Sequence, residues 1–389
     1  MKIVIVGAGF AGLKLARSLN NKAGFDVLLI DRFNYHQFQP LFYQVATASL
    51  DASNVSFPLR KMFHNSRNVR IKMANLERID SAQNVLFTDI GNFEYDVLVL
   101  ATGADTNFFG NSNFAQHCFP MKTTAEALRL RHKLIHNFED ALQVTDPAAL
   151  QRLMTIVVVG AGPTGVELSG AIAEMKQYVL PKDYPDLDFS AMKIILLEGS
   201  SKTLAAMSSK SSAQSQAYLE KLGVDVQTNA QVQAYDGQQI RLNDGREIPT
   251  AMVIWAAGIK GNVPEGIGPE LMAKGNRICV DRHNKVLSSS NIYALGDLAY
   301  METPLYEHGH PQVANVAIGQ AKLLSKNLQR LQAQKSMQQY EYMDKGSMAT
   351  IGRHLAVVDI PKPKLHFKGF FAWFIWMGLH LFLLVGVKN

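Results

Sequence analysis

The sequence predicts an α/β fold built from two similar units, because one local pattern occurs twice in its 389 residues. In each copy four β-branched residues lead into a glycine-rich turn, and a helical pattern follows, at residues 3–20 and 156–178. A short apolar run without alternation is typical of a strand that is buried on both faces of a parallel sheet. We therefore expect two parallel sheets, each opening with a strand, a turn and a helix.

The glycine spacing of both turns is that of a pyrophosphate-binding turn. The first glycine permits a tight turn, the second lets the backbone approach a pyrophosphate, and the third lets the helix pack close to the strand. The N-terminus of the helix then faces the anion. A single copy is a weak signal, but two copies predict two Rossmann-like dinucleotide-binding domains. The glycines are Gly7, Gly9, Gly12, Gly160, Gly162 and Gly165.

Each turn also has a matching apolar run downstream, VLVLATG at residues 97–103 and VIWAAG at residues 253–258. Gly103 follows Gly7 by 96 residues, and Gly258 follows Gly160 by 98 residues. Such constant internal spacing indicates a repeated unit. We expect the second domain to be inserted in the first. The predicted bounds are residues 1–110 and 266–335 for the first domain, 111–265 for the second, and 336–389 for a C-terminal membrane-association region.

An acidic residue follows the second strand of each unit, Asp31 in the first and Glu198 in the second. Asp31 lies about 20 residues past its turn, where a carboxylate is placed to accept hydrogen bonds from an adenosine ribose, and Glu198 is its counterpart in the second copy. Because it repels a 2′-phosphate, Glu198 favours NADH over NADPH, although Lys202 nearby would soften that preference. The alternative for Asp31 is a capping residue at a strand end.

Several further elements are predicted from local signals. A helix is expected over residues 123–143, capped by Thr123 or Thr124 with Glu126 in its first turn. Another helix is expected over residues 312–331, started by Pro311, because proline suits the first helical position. Residues 55–63 also look helical. A predicted strand over residues 291–295 ends in Gly-Asp, which places Asp297 near a polyol or a pyrophosphate; a simple turn is the alternative.

Charge and cysteine usage exclude several classes of protein. The net charge of +6 comes without a Lys/Arg run, which favours an anionic lipid surface and argues against nucleic acid. Cys118 and Cys279 lie 161 residues apart, so neither a dithiol relay nor a zinc site is expected. This usage fits a reducing compartment. A predicted strand begins at residue 2, so no signal peptide is expected.

The C-terminal stretch predicts contact with a membrane. Residues 369–387 carry no formal charge and include Trp373, Trp376 and four phenylalanines, with lysines on both sides. The favoured interpretation is a monotopic segment that lies in the interface, with aromatic rings at headgroup depth. A helix that just spans the bilayer, or a buried core or dimer contact, are the alternatives. The chain ends directly after this stretch, which suggests a shortened form.

Taken together, these motifs resemble the type II NADH:quinone oxidoreductases, which are monotopic respiratory flavoenzymes that do not pump protons. The resemblance covers nearly the whole chain. It is carried by both GAGxxG turns, the loop YHQFQPLFYQVATASL (35–50), and the stretches VLVLATGA, GPTGVEL, WAAGIKG, YALGDLA and GSMATIGR before the aromatic tail.

The resemblance implies FAD on the first domain and NADH on the second. It implies that the loop 34–50 lies beside the flavin and that Glu167 lies beside the nicotinamide and the flavin. An alternative for Glu167 is a carboxylate that favours its own helix N-terminus. The implied FAD residues are Gly7, Gly9, Gly12, Asp31, Ala101, Gly103, Asp297 and Ala314. The implied NADH residues are Gly160, Gly162, Gly165, Glu198 and Gly258.

The sequence departs from the A-Q-x-A-x-Q signature that the family often carries beside the flavin and the quinone. Residues 314–319 read ANVAIG here, so Asn315 and Gly319 replace the two glutamines. Gln320 follows one place later, which rotates it by about 100° on a helix. Glu167, Asn315 and Gln320 are the expected orienting groups or proton relays for the quinone.

The expected activity is hydride transfer from NADH to FAD, followed by reduction of a membrane quinone without proton pumping. The expected location is the cytoplasmic face of the bacterial inner membrane, with anionic lipid and a second copy of the chain as partners. One alternative is an NADH-sensing flavoprotein that acts through association, like apoptosis-inducing factor. The other is a soluble NAD(P)H-dependent reductase of a protein, which the absence of a cysteine in the loop disfavours. A sulfide:quinone reductase would likewise need cysteines that this chain lacks.

Overall fold

The computed structural model describes the backbone of residues 1–388 and the side chains of residues 1–384. The chain forms two compact units. Unit 1 comprises Met1–Gln37, Ser56–Asp105 and Ile259–Met343. Unit 2 comprises Phe38–Val55, Thr106–Gly258 and Asp344–Asn389. The domain bounds expected from the sequence stay a prediction.

Unit 1 is organised around a parallel sheet whose central strand, Lys2–Val6, is the first apolar run of the sequence. The run is buried from Ile3 to Val6, as a strand covered on both faces requires. Helix Phe10–Leu19 follows the turn and packs against helix Ala314–Gln332. The strands, in spatial order, are Ile292–Ala294, Val97–Leu100, Lys2–Val6, Asp26–Asp31 and Val69–Met73.

Unit 2 repeats this arrangement with its own parallel sheet. Helix Pro163–Tyr178 follows the second turn. The strands, in spatial order, are Met252–Trp255, Thr155–Val159, Lys193–Leu197 and Asp225–Gln227. In both sheets the first strand of the repeat lies between the strand formed by the downstream apolar run and the strand that leads to the acidic residue. The predicted α/β fold with two Rossmann-like sheets is confirmed.

Smaller elements complete unit 1. Strands Tyr35–Gln37 and Ser56–Pro58 pair with each other. The unit also contains two three-stranded sheets. Those sheets are Leu76–Asp80, Val85–Thr88 and Gly91–Glu94, and Met272–Ala273, Arg277–Cys279 and Ala299–Tyr300. The unit also contains strand Ile259–Gly261, helix Leu59–Met62 and the 3₁₀ turns Pro269–Leu271 and Gly296–Leu298. Strand Ala104–Thr106 lies where the chain passes to unit 2.

Unit 2 carries two antiparallel sheets and most of the helices. The sheets are Val232–Tyr235, Gln239–Leu242 and Glu247–Pro249, and Ser347–Gly352, Leu355–Ile360 and Leu365–Lys368. Its other helices are Phe42–Ala46, Ser112–His117, Thr124–Ala141, Pro147–Leu153, Leu180–Asp183, Ser209–Lys221 and Gly369–Lys388. Its 3₁₀ turns are Gln39–Leu41, Ala52–Asn54 and Phe189–Ala191.

Two predicted helices need correction, and one is confirmed. Residues 55–63 form a strand before they form a helix, because Pro58 disfavours helical backbone at Phe57. The helix expected from residue 312 begins at Ala314, with Val313 in extended conformation, so Pro311 is not its first residue. Helix Thr124–Ala141 matches its prediction, and Thr123 forms a capping box with Glu126.

The C-terminal helix Gly369–Lys388 has a packed side and an exposed side. Ala372 is buried with Ala356 and Val358 of strand Leu355–Ile360. Phe370 and Phe374 are more than half exposed. Among residues with described side chains, no helix combines the length and the apolar character that crossing a bilayer demands.

The helix of the second turn is tightly fitted to strand Ser347–Gly352 at Gly170. A Cβ atom at this position would overlap the carbonyl oxygen of Ile351. We predict that Gly170→Ala lowers the free energy of unfolding by about 1–3 kcal/mol, as overpacking does in cores. Chemical denaturation of both proteins measures this difference.

Gly378→Ala provides the matched control. Gly378 is also helical, but a Cβ there meets open space, so alanine should be neutral or stabilising by up to about 1 kcal/mol. Equal stability changes for the two variants would contradict the predicted contact.

Candidate functional site

The three glycines of the first turn have three different environments. Gly7 has a φ of +101°, and a Cβ there would overlap the carbonyl of Ala101. A Cβ on Gly12 would overlap the carbonyl of Gly7, so the helix lies directly against the turn. A Cβ on Gly9 would meet nothing within 4 Å. Backbone at Gly9 is therefore open to approach by a ligand, as a pyrophosphate requires.

The second turn repeats these environments residue by residue. Gly160 also has a φ of +101°, and a Cβ there would lie 2.7 Å from the backbone of Ala256. Gly165 lies against the carbonyl of Gly160, and Gly162 faces open space. In both units no side chain among the described residues caps the helix that follows. Two helix N-termini are thus left to satisfy their N–H groups with an anion.

The two predicted acidic residues are held in the same way. Asp31 accepts a hydrogen bond from the N–H of Ala8 at 2.6 Å, and Glu198 accepts one from the N–H of Ala161 at 2.7 Å. The second oxygen of each carboxylate accepts from the backbone two residues further on, at Phe33 and at Ser200. Burial raises the pKa of Asp31, although both N–H groups oppose the shift. Each carboxylate is therefore fixed at the edge of its turn.

The first turn is fixed from a second side by His36. Its Nδ1 lies 2.8 Å from the carbonyl oxygen of Ala8, so Nδ1 carries the proton and donates. The ring is 1% exposed, and its Nε2 has no hydrogen-bond partner among the described residues. Burial lowers the pKa of His36 to about 4, so the ring is neutral. In unit 2 the equivalent carbonyl, at Ala161, accepts instead from the N–H of Leu204 at 2.8 Å.

The Gly-Asp turn of unit 1 is positioned by the helix Ala314–Gln332. Gln320 is fully buried, and its Oε1 accepts from the N–H of Gly296 at 2.7 Å. Gln312 donates to the carbonyl of Asp297 at 2.8 Å. The Nε2 atom of Gln320 is buried without a partner among the described residues. Gln320 thus contacts the turn that carries Asp297.

Asn315 and Gln320 lie in different surroundings, since Asn315 is exposed and Gln320 is buried. Gly319 occupies the place of the second glutamine in the expected signature. A Cβ at Gly319 would overlap the hydroxyl of Tyr340, so a larger side chain here would require Tyr340 to move. Ala314 is the first residue of the same helix. The assignment of Asn315 and Gln320 to a quinone stays a prediction.

Three motifs that are distant in the sequence meet around Glu167 in unit 2. Helix Phe42–Ala46, from the aromatic loop, and strand Ser347–Gly352 both pack against the helix of the second turn. The N–H of Thr350 lies 3.4 Å from Oε1 of Glu167. The hydroxyls of Tyr43 and Thr350 are 3.1 Å apart and share a hydrogen bond. Gln44 donates to the hydroxyl of Tyr43 at 3.0 Å.

This surrounding determines the protonation of Glu167. Burial raises its pKa to about 8, because the single long hydrogen bond from Thr350 offsets little of the desolvation. Burial raises the pKa of Tyr43 as well, and the Glu167 carboxylate raises it further. Glu174, two turns along the same helix, also has a raised pKa through burial. At neutral pH Glu167 and Tyr43 therefore hold their protons.

Comparison with known proteins places the chain in a family. The model of the pyridine nucleotide-disulphide oxidoreductases matches residues 1–321. The type II NADH:quinone oxidoreductase Ndh of Mycobacterium tuberculosis is 35% identical over 407 residues, which cover 100% of this chain and 85% of the relative. NdhA of the same organism is 36% identical over 405 residues, covering 100% of this chain and 84% of the relative. The chain belongs to the type II NADH:quinone oxidoreductases.

The fold of this type II oxidoreductase is also that of a solved relative. NDH2 from Plasmodium falciparum, determined in complex with NADH, superposes with a TM-score of 0.90 at 21% identity. The match covers 98% of this chain and 94% of that chain. At this identity the comparison supports the fold alone.

The structure brings together most of the residues that the sequence of this type II oxidoreductase singles out, each within its own unit. The first turn, Asp31 and Ala101 meet in unit 1, and the second turn and Glu198 meet in unit 2. Sequence reasoning missed the contacts of His36, Tyr43 and Thr350. His36 and Tyr43 lie in the aromatic loop. The amide-rich and aromatic composition of that loop was the sequence signal that could have pointed to these residues.

The raised pKa of Glu167 predicts how stability depends on pH. Folding binds a proton at Glu167 between the ordinary carboxyl pKa of about 4.5 and the folded pKa of about 8, so stability falls as pH rises through this window. Glu167→Gln cannot titrate. Melting temperatures of both proteins are measured from pH 5 to pH 9. The difference, variant minus original, should increase with pH up to about pH 8 and stay constant above it.

Glu247→Gln is the control, because Glu247 is exposed in the same unit. Its melting curve should parallel the original at every pH. A Glu167→Gln curve that also stays parallel would show that Glu167 is ionised at neutral pH.

Proposed function

We propose that this protein is a membrane-peripheral, FAD-dependent NADH:quinone oxidoreductase that does not pump protons. The observation that carries the proposal is the duplicated turn, with its open second glycine and its fixed carboxylate, in a chain 35% identical to a type II NADH:quinone oxidoreductase. Two dinucleotide sites in one chain serve a reaction in which electrons pass from one nucleotide to another.

FAD is assigned to unit 1. Gly7, Gly9 and Gly12 receive the pyrophosphate at the N-terminus of helix Phe10–Leu19, and Asp31 receives the adenosine ribose. Asp297 holds the ribityl chain from a turn that Gln320 and Gln312 position. Ala101, Gly103 and Ala314 are the remaining proposed contacts. FAD, when bound, supplies the chemistry that accepts a hydride from NADH and passes two electrons to a quinone.

NADH is assigned to unit 2. Its pyrophosphate lies at Gly160, Gly162 and Gly165, and Gly258 provides backbone at the neighbouring strand end. Glu198 is presented to the ribose by two backbone N–H groups, at 2.7 and 2.8 Å. A carboxylate so fixed disfavours a 2′-phosphate by charge repulsion and favours NADH.

Glu167 is the proposed proton-holding group for quinone reduction, which consumes two protons. A carboxyl with a pKa of about 8 is protonated at neutral pH and gives up its proton at little cost. Tyr43 and Thr350 form a hydrogen-bonded path beside it. Asn315 and Gln320 complete the proposed set, as groups that orient the quinone.

Membrane association is assigned to the exposed side of helix Gly369–Lys388. Its phenylalanines, Phe370, Phe371, Phe374 and Phe382, are each more than half exposed, and lysines flank the segment. The proposed face is the cytoplasmic one, since Cys118 and Cys279 are both free and fit a reducing compartment.

The kinetics of flavin reduction and reoxidation in the purified holoenzyme test the function. We expect NADH to reduce the bound flavin rapidly in stopped-flow measurements and added menaquinone or ubiquinone analogues to reoxidise it. Rapid reduction without reoxidation by quinone would favour an NADH-sensing flavoprotein. Reoxidation by a protein acceptor alone would favour a soluble reductase.

The role of Glu198 predicts a change in nucleotide preference. Removing a charged hydrogen-bond acceptor costs about tenfold or more in binding, and removing its charge relieves the repulsion of a 2′-phosphate. Glu198→Ala should therefore narrow the ratio of kcat/KM for NADH over NADPH by at least about tenfold. Glu220→Ala, an exposed site in the same unit, should leave the ratio unchanged. An unchanged ratio in Glu198→Ala would reject the role.

The contact of His36 predicts how tightly the flavin is held. His36→Asn keeps a donor at the Nδ1 position, whereas His36→Gln places its donor elsewhere and His36→Phe has none. Leaving the buried carbonyl of Ala8 unpaired should speed flavin release from the holoenzyme about tenfold in the Gln and Phe variants. His36→Asn should release flavin at nearly the original rate. Equal release from all three variants would contradict a positioning role.

A further inference from the structure

We propose that a basic concavity at the base of the C-terminal helix binds the phosphate of an anionic phospholipid headgroup. The proposal rests on the membrane association proposed above and assigns a specific site to it. The concavity has a volume of about 330 Å³ and lies entirely in unit 2. Its lining residues are Lys210, Ala213, Gln214, Ala217, His366 and Lys368.

Two elements form this basic concavity. Lys210, Gln214 and Ala217 lie on one face of helix Ser209–Lys221, at the spacing of successive turns. His366 and Lys368 lie on one face of strand Leu365–Lys368, two residues apart. The alanines on the helix are exposed and small, so they leave the space that longer side chains would fill.

Among the described residues, neither Lys210 nor Lys368 forms an ion pair with a carboxylate. Lys368 donates from Nζ to Oε1 of Gln214 at 3.1 Å, and both residues line the concavity. None of its lining residues, all of them within the described part of the chain, carries a carboxylate. The acid that contacts His366 is Asp359, at 3.0 Å from Nδ1. Two lysines thus face one space without a carboxylate between them, which favours an anion.

Other donors occupy both carboxylate oxygens of Asp359. It accepts from the N–H and the hydroxyl of Ser208 at 2.8 and 3.0 Å, and from the hydroxyl of Ser211 at 2.9 Å. Burial opposes ionisation of Asp359, but these hydrogen bonds and that of His366 outweigh it and hold its pKa below the usual range. The carboxylate fixes the strand to the helix and leaves the ammonium groups for a ligand.

The position of the basic concavity, next to the C-terminal helix, favours a lipid phosphate over a soluble anion. Lys368 directly precedes helix Gly369–Lys388. Phe370, Phe371 and Phe374 on that helix are 61%, 58% and 55% exposed. An anion bound beside this surface gains affinity if it carries acyl chains, and lysines near a membrane surface gain about 1 kcal/mol each from anionic lipid.

Vesicle binding tests the site. We compare the full-length holoenzyme with a Lys210→Gln/Lys368→Gln variant on phosphatidylcholine vesicles and on vesicles that also contain phosphatidylglycerol. The variant should lose about thirtyfold in affinity for the anionic vesicles, which corresponds to about 2 kcal/mol for two lysines. Its binding to phosphatidylcholine and its turnover with a water-soluble quinone should not change.

A Lys193→Gln/Lys221→Gln variant is the control, because both lysines are exposed in unit 2 and neither lines the basic concavity. It should keep most of its affinity for anionic vesicles. An equal loss in the control, or no loss in the Lys210/Lys368 variant, would overturn the site. If glycerol 1-phosphate at matched ionic strength bound the unmodified protein as tightly as the anionic vesicles do, the acyl chains would add nothing and the lipid assignment would be overturned.

A Phe370→Ser/Phe374→Ser variant separates this inference from the membrane association on which it rests. Both side chains are exposed, so the fold should tolerate the change. Weaker binding to both kinds of vesicle is expected. If the unmodified protein binds no vesicles, both ideas fail, whereas neutral binding with no anionic preference would overturn only the headgroup site.

Discussion

The arrangement depends on keeping a helix N-terminus close to the end of a parallel strand without capping it. A serine or aspartate at the N-cap would satisfy the first N–H groups and compete with any ligand there. In both units glycine occupies this position, at Gly9 and Gly162. The nearby carboxylates bond instead to the residue before the cap, at Ala8 and Ala161. The turn is therefore fixed, while the anion-binding end of the helix stays available.

The repeated parts of this fold could be predicted because their signals are local. Residues 3–12 and 156–165 encode strand, turn and helix within ten positions, and the structure places them as expected. The helix Ser209–Lys221 carried no comparable signal, since its buried positions include Ser211, Ser212 and Ser215. Hydrophobic periodicity cannot reveal a helix that buries hydroxyls. Their hydrogen bonds, such as Ser211 to Asp359, exist only after folding.

Site residues could be predicted where a single segment of the sequence contains the whole motif. They could not be predicted where several distant segments come into contact. Asp31 follows from its distance to the turn and Glu198 from its matching place after the strand, but the contacts of Thr350 with Glu167 and Tyr43 join residues far apart in the chain. The surroundings of Gly319, which stands in place of a glutamine of the family signature, also depend on tertiary contacts. Tyr340 fills the space that a side chain there would need, and the buried amide of Gln320 holds Gly296 from the next position. The sequence shows the change but not its cause.

Two carboxyl groups of unit 2, Asp359 and Glu167, have pKa shifts of opposite direction. Asp359 receives hydrogen bonds from two serines and a histidine, which outweigh its burial and keep it ionised. Glu167 receives one long hydrogen bond, so burial prevails and its pKa rises to about 8. A carboxylate saturated with donors fixes structure and exchanges protons only at low pH. A carboxyl left short of donors exchanges its proton near neutral pH, which fits the role proposed for Glu167 in quinone reduction.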